Sequence, residues 1–411
     1  MEQSCTYRWS LLRPPEGPLA PHIDSFTELL SDQGYAQNSA HGQTRLAADF
    51  SRWLKQRGVT AQGIRPEHTK RYLRYRAHHR RPHRGDAAAL ERLLGLLRKK
   101  GTIAQSEVPV ANTALQRLID EYALYLRQER VLAPATLVNY LPFVRCFLME
   151  RFDSERLRLS ALCAADVVGF VQHQAARLHL KRAKLMTAAL RSFLRYARYR
   201  GYINTDLAAG VPTVANWSMA SIPRSISREH VQRVLAHCDR QTAVGCRDYA
   251  ILLLLARLGL RAGEIVSLQL EDLDWETGCL NIRGKGGQAS QLPLAVEVGE
   301  AIAAYLQQGR PPSTSRCVFL RARAPIRGFK EPQAVSSLVK HALERAGIDS
   351  PRKGAHQFRH ALACEMLRQG ASLAEIGELL RHRSPQTTAI YAKVDLVSLR
   401  TLGLPWPGGV Q

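Results

Sequence analysis

Two stretches, HQFRHALACEML (356–367) and ELLRHRSPQTTAIYAKV (378–394), decide how this chain is read. The first has apolar residues at helical spacing. Residues three apart on a helix are neighbours, so His356 and Arg359 share a face. The second is a helical segment that closes at His382, with Tyr391 nine residues further on in a short TTAIYAKV. Around them lies a strongly basic chain of 411 residues, with 58 Lys and Arg against 35 Asp and Glu, a formal charge of +23. Such a charge repels itself unless a polyanion neutralises it. Nucleic acid is therefore the first partner to consider and an anionic membrane surface the second.

Breaking a phosphodiester requires a nucleophile, cations around the non-bridging oxygens and a proton for the leaving oxygen. Working outward from the two stretches, the same region supplies more of these. Ser227 caps a helix with Glu229 in its first turn, and a long apolar helix runs to about Leu258, where Gly259 ends it. Arg261 stands at the break before a second helix, about Ala262 to Leu268. GCLNIR (278–283) and SQLPLA (290–295) are β-patterned runs around a Gly-rich turn, which predicts a hairpin with Lys285 at its tip. CVFLR (317–321) predicts one more strand, and AVSSLVKHALERAG (334–347) and SLAEIGELLRH (372–382) predict helices.

Arg261, Lys285, His356, Arg359, His382 and Tyr391, in this order, resemble the catalytic set of the tyrosine recombinases, the phage-integrase superfamily. The surrounding words resemble it too. ARLGLRAGEIVSLQLEDLDW (256–275) is similar to the family's first arginine motif and IRGKGGQASQLPL (282–294) to its hairpin lysine motif. The two opening stretches are similar to its H-x-x-R box and its final box. The resemblance covers residues 227–394, and 113–203 resembles the family's helical core-binding domain. It implies a chain that is mainly α, with helical core-binding domains and a mixed α/β catalytic domain holding a small sheet. It also implies site-specific cleavage and rejoining of DNA through a 3′-phosphotyrosyl intermediate, with no cofactor, metal or ATP. Tyr391 would attack, and Arg261 and Arg359 would hold the non-bridging oxygens with their planar forks. Lys285 would protonate the leaving 5′-oxygen, His356 would assist as acid or base and His382 would hydrogen-bond the phosphate. Glu264 matches an acidic support position. Three residues depart from the usual pattern: Arg381 where glycine is common, and Gln357 and Phe358 in the H-x-x-R box.

The N-terminal half reads as two helical copies. RLAADFSRWLKQR (45–57) lines up with NYLPFVRCFLMER (139–151), and ERLLGLLRKKGTI (91–103) with RSFLRYARYRGYI (191–203). Each copy ends on a basic helix, a Gly, one more residue and an Ile, a helix-stop pattern. The expected order is a loose Pro-rich arm (1–22), an accessory helical DNA-binding domain (23–108) and the core-binding domain (109–204). A linker (205–226), the catalytic domain (227–394) and a tail (395–411) follow. The tail ends in an apolar LGLPWP that could dock on a neighbouring protomer or pack on its own domain.

Basic runs in both copies predict phosphate contacts along a duplex: Arg71, Arg74, Arg76, Arg80 and Arg81 in the first, Lys181, Arg182, Lys184, Arg191, Arg195 and Arg198 in the second. The expected partners are double-stranded DNA and further protomers, in the family a tetramer on paired sites, or partner recombinases. A non-catalytic DNA-binding protein on the same fold and a type IB topoisomerase-like enzyme stay open as alternatives.

Other classes recede. The longest apolar run, Tyr249 to Ala256, is interrupted by Arg257 and is far short of the roughly 20 residues of a membrane span. The N-terminus has no charged start leading into an apolar stretch, so no secretory signal is expected. The cysteines Cys5, Cys146, Cys163, Cys238, Cys246, Cys279, Cys317 and Cys364 form no C-x-x-C pair. They read as small core residues in a reducing cytoplasm, with neither disulfides nor a zinc finger.

Overall fold

The computed structural model describes residues 14–81, 83–104, 113–152, 157–214, 225–284, 289–350, 353–382 and 384–394. They are mostly helical with one small sheet, the expected class. The chain divides into two compact units, residues 107–220 and a unit that combines 1–106 with 221–411.

The first helical copy comprises α1 (Ile23–Asp32), α2 (Gln37–Lys55), α3 (Pro66–His79) and α4 (Asp86–Lys99). Its core is Phe26, Leu30, Phe50, Trp53, Leu54, Leu90, Leu93, Leu94 and Leu97, which recur every three or four residues along their helices. Part of the expected loose arm belongs to this core. Leu19 is fully buried, its amide is bonded to the Ser51 hydroxyl, and Glu16 pairs with Lys55. A leucine that finds a pocket gains about 2 kcal/mol over exposure, enough to order a short segment. Residues 1–13 lie outside the described chain.

The unit 107–220 comprises α5 (Ala114–Gln128), α6 (Pro134–Arg151), α7 (Ala164–Ala175) and α8 (Leu180–Tyr199). It repeats the packing order of the first copy: first helix on second, second on fourth, third on fourth. The two helix stops match as well. Gly101 and Gly201 both have positive φ, and the amides of Thr102 and Tyr202 reach back to the carbonyls of Leu97 and Ala197. This closes orphan carbonyls at each helix end and drops Ile103 and Ile203 into their cores. The expected linker is partly core too, since Leu207, Ala208 and Val211 are buried against α8 and its neighbours.

The C-terminal region holds α9 (Arg228–Ala236), α10 (Ala243–Arg257), α11 (Ala262–Ser267), α12 (Val296–Ala304), α13 (Pro332–Arg345), α14 (His356–Arg368), α15 (Leu373–Leu379) and α16 (Pro385–Thr388). Ser227 caps α9 as expected, its hydroxyl accepting from the His230 amide. The apolar helix is a separate element with its own cap at Thr242. α10 is buried over nearly its whole length and forms the centre of this region.

The sheet is three antiparallel strands in sequence order, β1 (Leu273–Asp274), β2 (Cys279–Arg283) and β3 (Ala289–Pro293). Leu280 pairs with Leu292 and Arg283 with Ala289. Lys285, expected at the tip of this hairpin, lies outside the described residues. The strand expected at 317–321 is replaced by isolated bridges, Gln269 to Cys317 and Leu320 to Gly328. The reason is that the Arg310 guanidinium takes the carbonyls of Ser315, Cys317 and Val318, and the Tyr305 hydroxyl takes the Leu320 amide. Side chains thus satisfy groups that a strand ladder would otherwise pair.

Within the same unit, the turn after α1 meets the C-terminal region. The Ile326 amide donates to the Gln33 carbonyl, and a Cβ on Gly34 would come within 2.6 Å of the Ile326 side chain. Gly34 is also at φ +71, so this contact depends on glycine twice over.

Candidate active site

The site is assembled on the break between α10 and α11. Gly259 turns the chain at φ +56, and a Cβ there would stand 2.8 Å from Leu380 and 3.1 Å from Leu362. The free space lets the Arg359 side chain cross beneath the turn. Arg359 is 1% exposed and donates to the carbonyls of Gly259 and Leu380. It therefore ties α14 to the two loops that carry Arg261 and His382. Burial, with the guanidiniums of Arg261 and Arg381 nearby, pushes its pKa down from the ordinary arginine range. The chain has gathered positive charge here with too little negative charge to balance it. Two of its five N–H groups are engaged, and the others can meet an anion.

Arg261 is the N-cap of α11, and Glu264 reaches back to its amide at 2.8 Å. The Arg261 guanidinium, partly open to solvent, contacts the same carboxylate at 2.6 Å. Glu264 is nearly buried and also accepts from Arg381 at 3.0 Å. Burial alone would raise its carboxyl, but the Arg261 amide and the two guanidiniums outweigh it and hold it below its ordinary range. The support it gives is thus in place at neutral pH and fades only as pH falls through that lowered value.

Arg381 explains the departure from the usual glycine. It sits at φ +54, the left-handed region that glycine enters without cost. An arginine there is strained by about 1–2 kcal/mol, and its buried ion pair with Glu264 is the compensation. Arg381→Gly is expected to leave the melting temperature nearly unchanged, because relief of strain and loss of the pair oppose each other. Single-turnover cleavage should slow, because Glu264 and Arg261 lose a fixed neighbour. A cleavage rate equal to wild type would show that Arg381 only fills the turn. Of the other two departures, Phe358 is wholly buried in the core and Gln357 accepts from the Ser350 hydroxyl, so both are packing choices.

His382 lies between these cations. Its Nδ1 is 2.8 Å from the buried Thr388 hydroxyl. Burial, then Arg359, Arg261, His356 and Arg381, push it down to about 4. It is neutral at physiological pH, and with Nδ1 held by Thr388 the Nε2 edge is left to face an anion. Tyr391, in the short 3-10 turn Ala389–Val394, is 1% exposed. Its hydroxyl is 2.9 Å from His360 Nδ1, and burial pushes it up to about 12 despite Arg359. His356, exposed at the start of α14, stacks edge-on against His360 at 4.6 Å.

Arg261, Glu264, Arg359, His382 and Tyr391 are thus brought to one place, with His356 at its rim. Sequence reasoning missed three supporting residues: His360 beside Tyr391, Thr388 beside His382, and Arg381 as a partner of Glu264. His360 was the most findable, since it lies one turn after His356 on the same helix. Among the described residues no group of three His, Cys, Asp or Glu side chains gathers as a metal site, and no helix is long and apolar enough to cross a membrane.

The basic residues of the helical copies are placed less uniformly. Arg71, Arg74, Arg80 and Arg81 are exposed on and just after α3, whereas Arg76 is held by Asp86 at 3.2 Å and by Asp49. On α8, Lys181, Arg182 and Arg195 are exposed and Lys184 is half-buried. Arg198 pairs with Asp206. Arg191 donates to the carbonyls of Val211 and Pro212, at 2.9 and 3.1 Å, and so fastens the chain that leaves the bundle.

Known proteins are similar to this chain. The profile of the phage integrase family matches residues 224–396, and that of the phage integrase N-terminal SAM-like domain matches residues 119–201. A Sinorhizobium fredii protein assigned as an integrase/recombinase, y4rA, is 54% identical over 404 residues, 98% of each chain. The chain belongs to the tyrosine recombinase family. It is accordingly a site-specific recombinase, a DNA strand-transferase. The tyrosine recombinase XerD of Listeria monocytogenes is 29% identical over 69% of this chain and 96% of its own. Two solved structures share the fold of the recombinase. XerH bound to palindromic difH in a post-cleavage complex has TM-score 0.55, 19% identity and coverage of 75% of this chain and 93% of that one. A lambda integrase dimer on a COC′ core site has TM-score 0.53, 17% identity and coverage of 72% and 98%. Residues before 119 lie outside both family profiles.

Proposed function

We propose that this recombinase cleaves double-stranded DNA by attack of Tyr391 on a phosphate seated between Arg261 and Arg359. The observation that carries the reading is the convergence of these two guanidiniums, neutral His382 and the Tyr391 hydroxyl from four separate chain segments. A phosphate entering the site would meet the buried Arg359 guanidinium beside the partly open Arg261, donors fixed in place beforehand by Gly259, Leu380 and Glu264. The bond from phosphorus to the 5′-oxygen breaks as the bond to the tyrosine oxygen forms, leaving a 3′-phosphotyrosine. Lys285, which lies outside the described residues, would supply the proton to the 5′-oxygen, and His356 at the rim would assist as acid or base. Rejoining is the reverse reaction with a new 5′-hydroxyl, so the phosphodiester energy is kept and neither ATP nor metal is required.

The helical copies hold the duplex, and several protomers act on paired sites. The accessory copy, residues 23–108, would hold a further stretch of DNA. The site of action is the cytoplasm, on DNA, and integration, transposition and resolution all use this chemistry. The tail 395–411 lies outside the described residues.

A trapping assay tests the reading. The protein is incubated in EDTA with a pool of nicked duplexes from the DNA around its gene, then run on a denaturing gel. A protein–DNA adduct that survives denaturation is expected, and its sequenced ends give the site. Intact binding without any adduct would overturn the catalytic reading.

Binding should also weaken steeply with salt, by a log–log slope of about −0.9 for each phosphate neutralised. Arg71→Ala, Arg74→Ala or Arg195→Ala should each make the slope shallower by about that amount. Arg191→Ala should leave the slope unchanged and lower the melting temperature instead, because its fork is spent on Val211 and Pro212. An unchanged slope in all three exposed variants would remove these helices from the interface.

A further inference from the structure

Residues before 119 lie outside both family profiles, yet the run RYLRYRAHHRR (71–81) interleaves arginine, tyrosine and histidine. Between α2 and α3 this run closes a cleft of about 310 Å³. Its walls are aromatic. Trp53 and Tyr72 are buried, with ring centroids 5.7 Å apart, while the Tyr75 side of the wall is open, that residue being 43% exposed. His79 packs on the Tyr75 ring at 4.5 Å, and the Arg57 guanidinium lies 4.0 Å from the Trp53 ring. The rim is cationic. Arg52, Arg76 and Arg80 approach one carboxylate, Asp49, at 3.6, 3.8 and 3.9 Å. These separations exceed hydrogen-bond length, so Asp49 draws the three guanidiniums together without hydrogen-bonding them. The indole N–H of Trp53 is buried and has no partner among the described residues, whereas buried donors normally have one.

We infer that this cleft binds an unpaired nucleotide of DNA, with the base stacked on Tyr75 and the phosphate held by Arg52, Arg76 and Arg80. The inference rests on the proposed role of the accessory copy in holding DNA and gives that role a substrate, a nucleotide in a single-stranded tail or an extrahelical position. Charge alone would serve a duplex, whose outer surface is phosphate and sugar. The base faces of a duplex are stacked inside it, so an exposed ring in a cationic cleft adds little to that contact. The same ring adds a good deal to an unpaired strand, in which every base offers a π-face. The volume suits a small ligand with its phosphate. Arg52 belongs to α2 and Arg76 to α3, so a phosphate between them bridges the two helices. Asp86 holds Arg76 at 3.2 Å, which sets one fork before the ligand arrives.

The test is fluorescence anisotropy on the full chain with a short oligothymidylate and with an abasic oligonucleotide of equal length, which carries the same phosphates and no bases. The oligothymidylate should bind tighter by roughly 5- to 100-fold, the worth of one base stacked on an aromatic ring. Tyr75→Ala should remove that preference and Tyr75→Phe should keep it, because the ring and not the hydroxyl does the stacking. Arg80→Ala should weaken both probes alike. An oligothymidylate with one iodouracil should cross-link, on illumination of the wild-type protein, within the cleft at Tyr75, Trp53 or His79. That readout holds whether or not a variant folds, and cross-links confined to other regions would overturn the inference. Two further probes, a duplex with one extrahelical thymidine and a duplex with a single-stranded tail, separate the two sources. The one that outbinds the plain duplex, by an increment that Tyr75→Ala removes, is the form bound, and no gain from either would overturn the inference. Equal affinity for the two oligonucleotides, or a preference that Tyr75→Ala leaves intact, would overturn it too. If Arg71→Ala and Arg74→Ala then still weaken binding to the plain duplex, the DNA-holding role of this copy stands without base binding. If they do not, that role falls together with the inference.

Discussion

Tyr391→Phe is expected to abolish the denaturation-resistant protein–DNA adduct completely while DNA affinity stays within about twofold of wild type. The substitution removes one oxygen and keeps the ring, which is 1% exposed and packs with Ala363, Cys364, Ile376 and Leu380. No cavity of consequence is created, so the fold has little reason to change. The cost is a hydrogen-bond partner for His360, on the order of 1 kcal/mol, because that ring is only partly buried and retains His356 beside it. Chemistry and stability are therefore separable at this position. The measurement is the trapping gel together with a binding titration and a thermal melt. An adduct formed by the phenylalanine variant would mean that another side chain is the nucleophile.

The two arginines should separate in the opposite way. Arg261→Ala and Arg359→Ala are both expected to slow cleavage by roughly 10²-fold or more, the effect of losing one preorganised donor. Their stabilities should differ. Arg261 is partly exposed, and without it Glu264 still has the Arg261 backbone amide and Arg381, so the melting temperature should hardly fall. Arg359 is the crossing point of Gly259, Leu380 and α14. Truncating it leaves two buried carbonyls without donors and opens a cavity beneath the turn, a loss of about 3–5 kcal/mol. Single-turnover rates and melts on both variants check this. Wild-type cleavage by either would end that residue's assignment, and an unshifted melt for Arg359→Ala would show that the loops are held by something else.

The N-terminal copy shows how one helical pattern serves two contexts. α4 and α8 end on the same basic turn, glycine and buried isoleucine. One nevertheless belongs to a unit with the C-terminal region, by way of Gly34 and Ile326, and the other to a unit of its own. Nothing in either helix signals this, because the contact is made by a turn far from the repeat's matched segments.

By itself the sequence determined the fold class, the helix caps at Ser227 and after Leu97 and Ala197, the hairpin from Cys279 to Pro293 and the order of the candidate site residues. These are legible because they depend on neighbours. A capping hydroxyl acts on an amide three residues away, and helical and strand periods assign residues to faces over a few turns. The tertiary structure alone decided who supports whom. Arg359 meets Gly259 across 100 residues, Arg381 meets Glu264 across 117 and His360 meets Tyr391 across 31. The strand expected at 317–321 failed for the same reason, since distant side chains took its hydrogen bonds. Periodicity says which way a residue faces but not what it faces. In a close-packed interior that is settled by which helices lie against each other, and the left-handed Arg381 persists only because Glu264 is there to receive it.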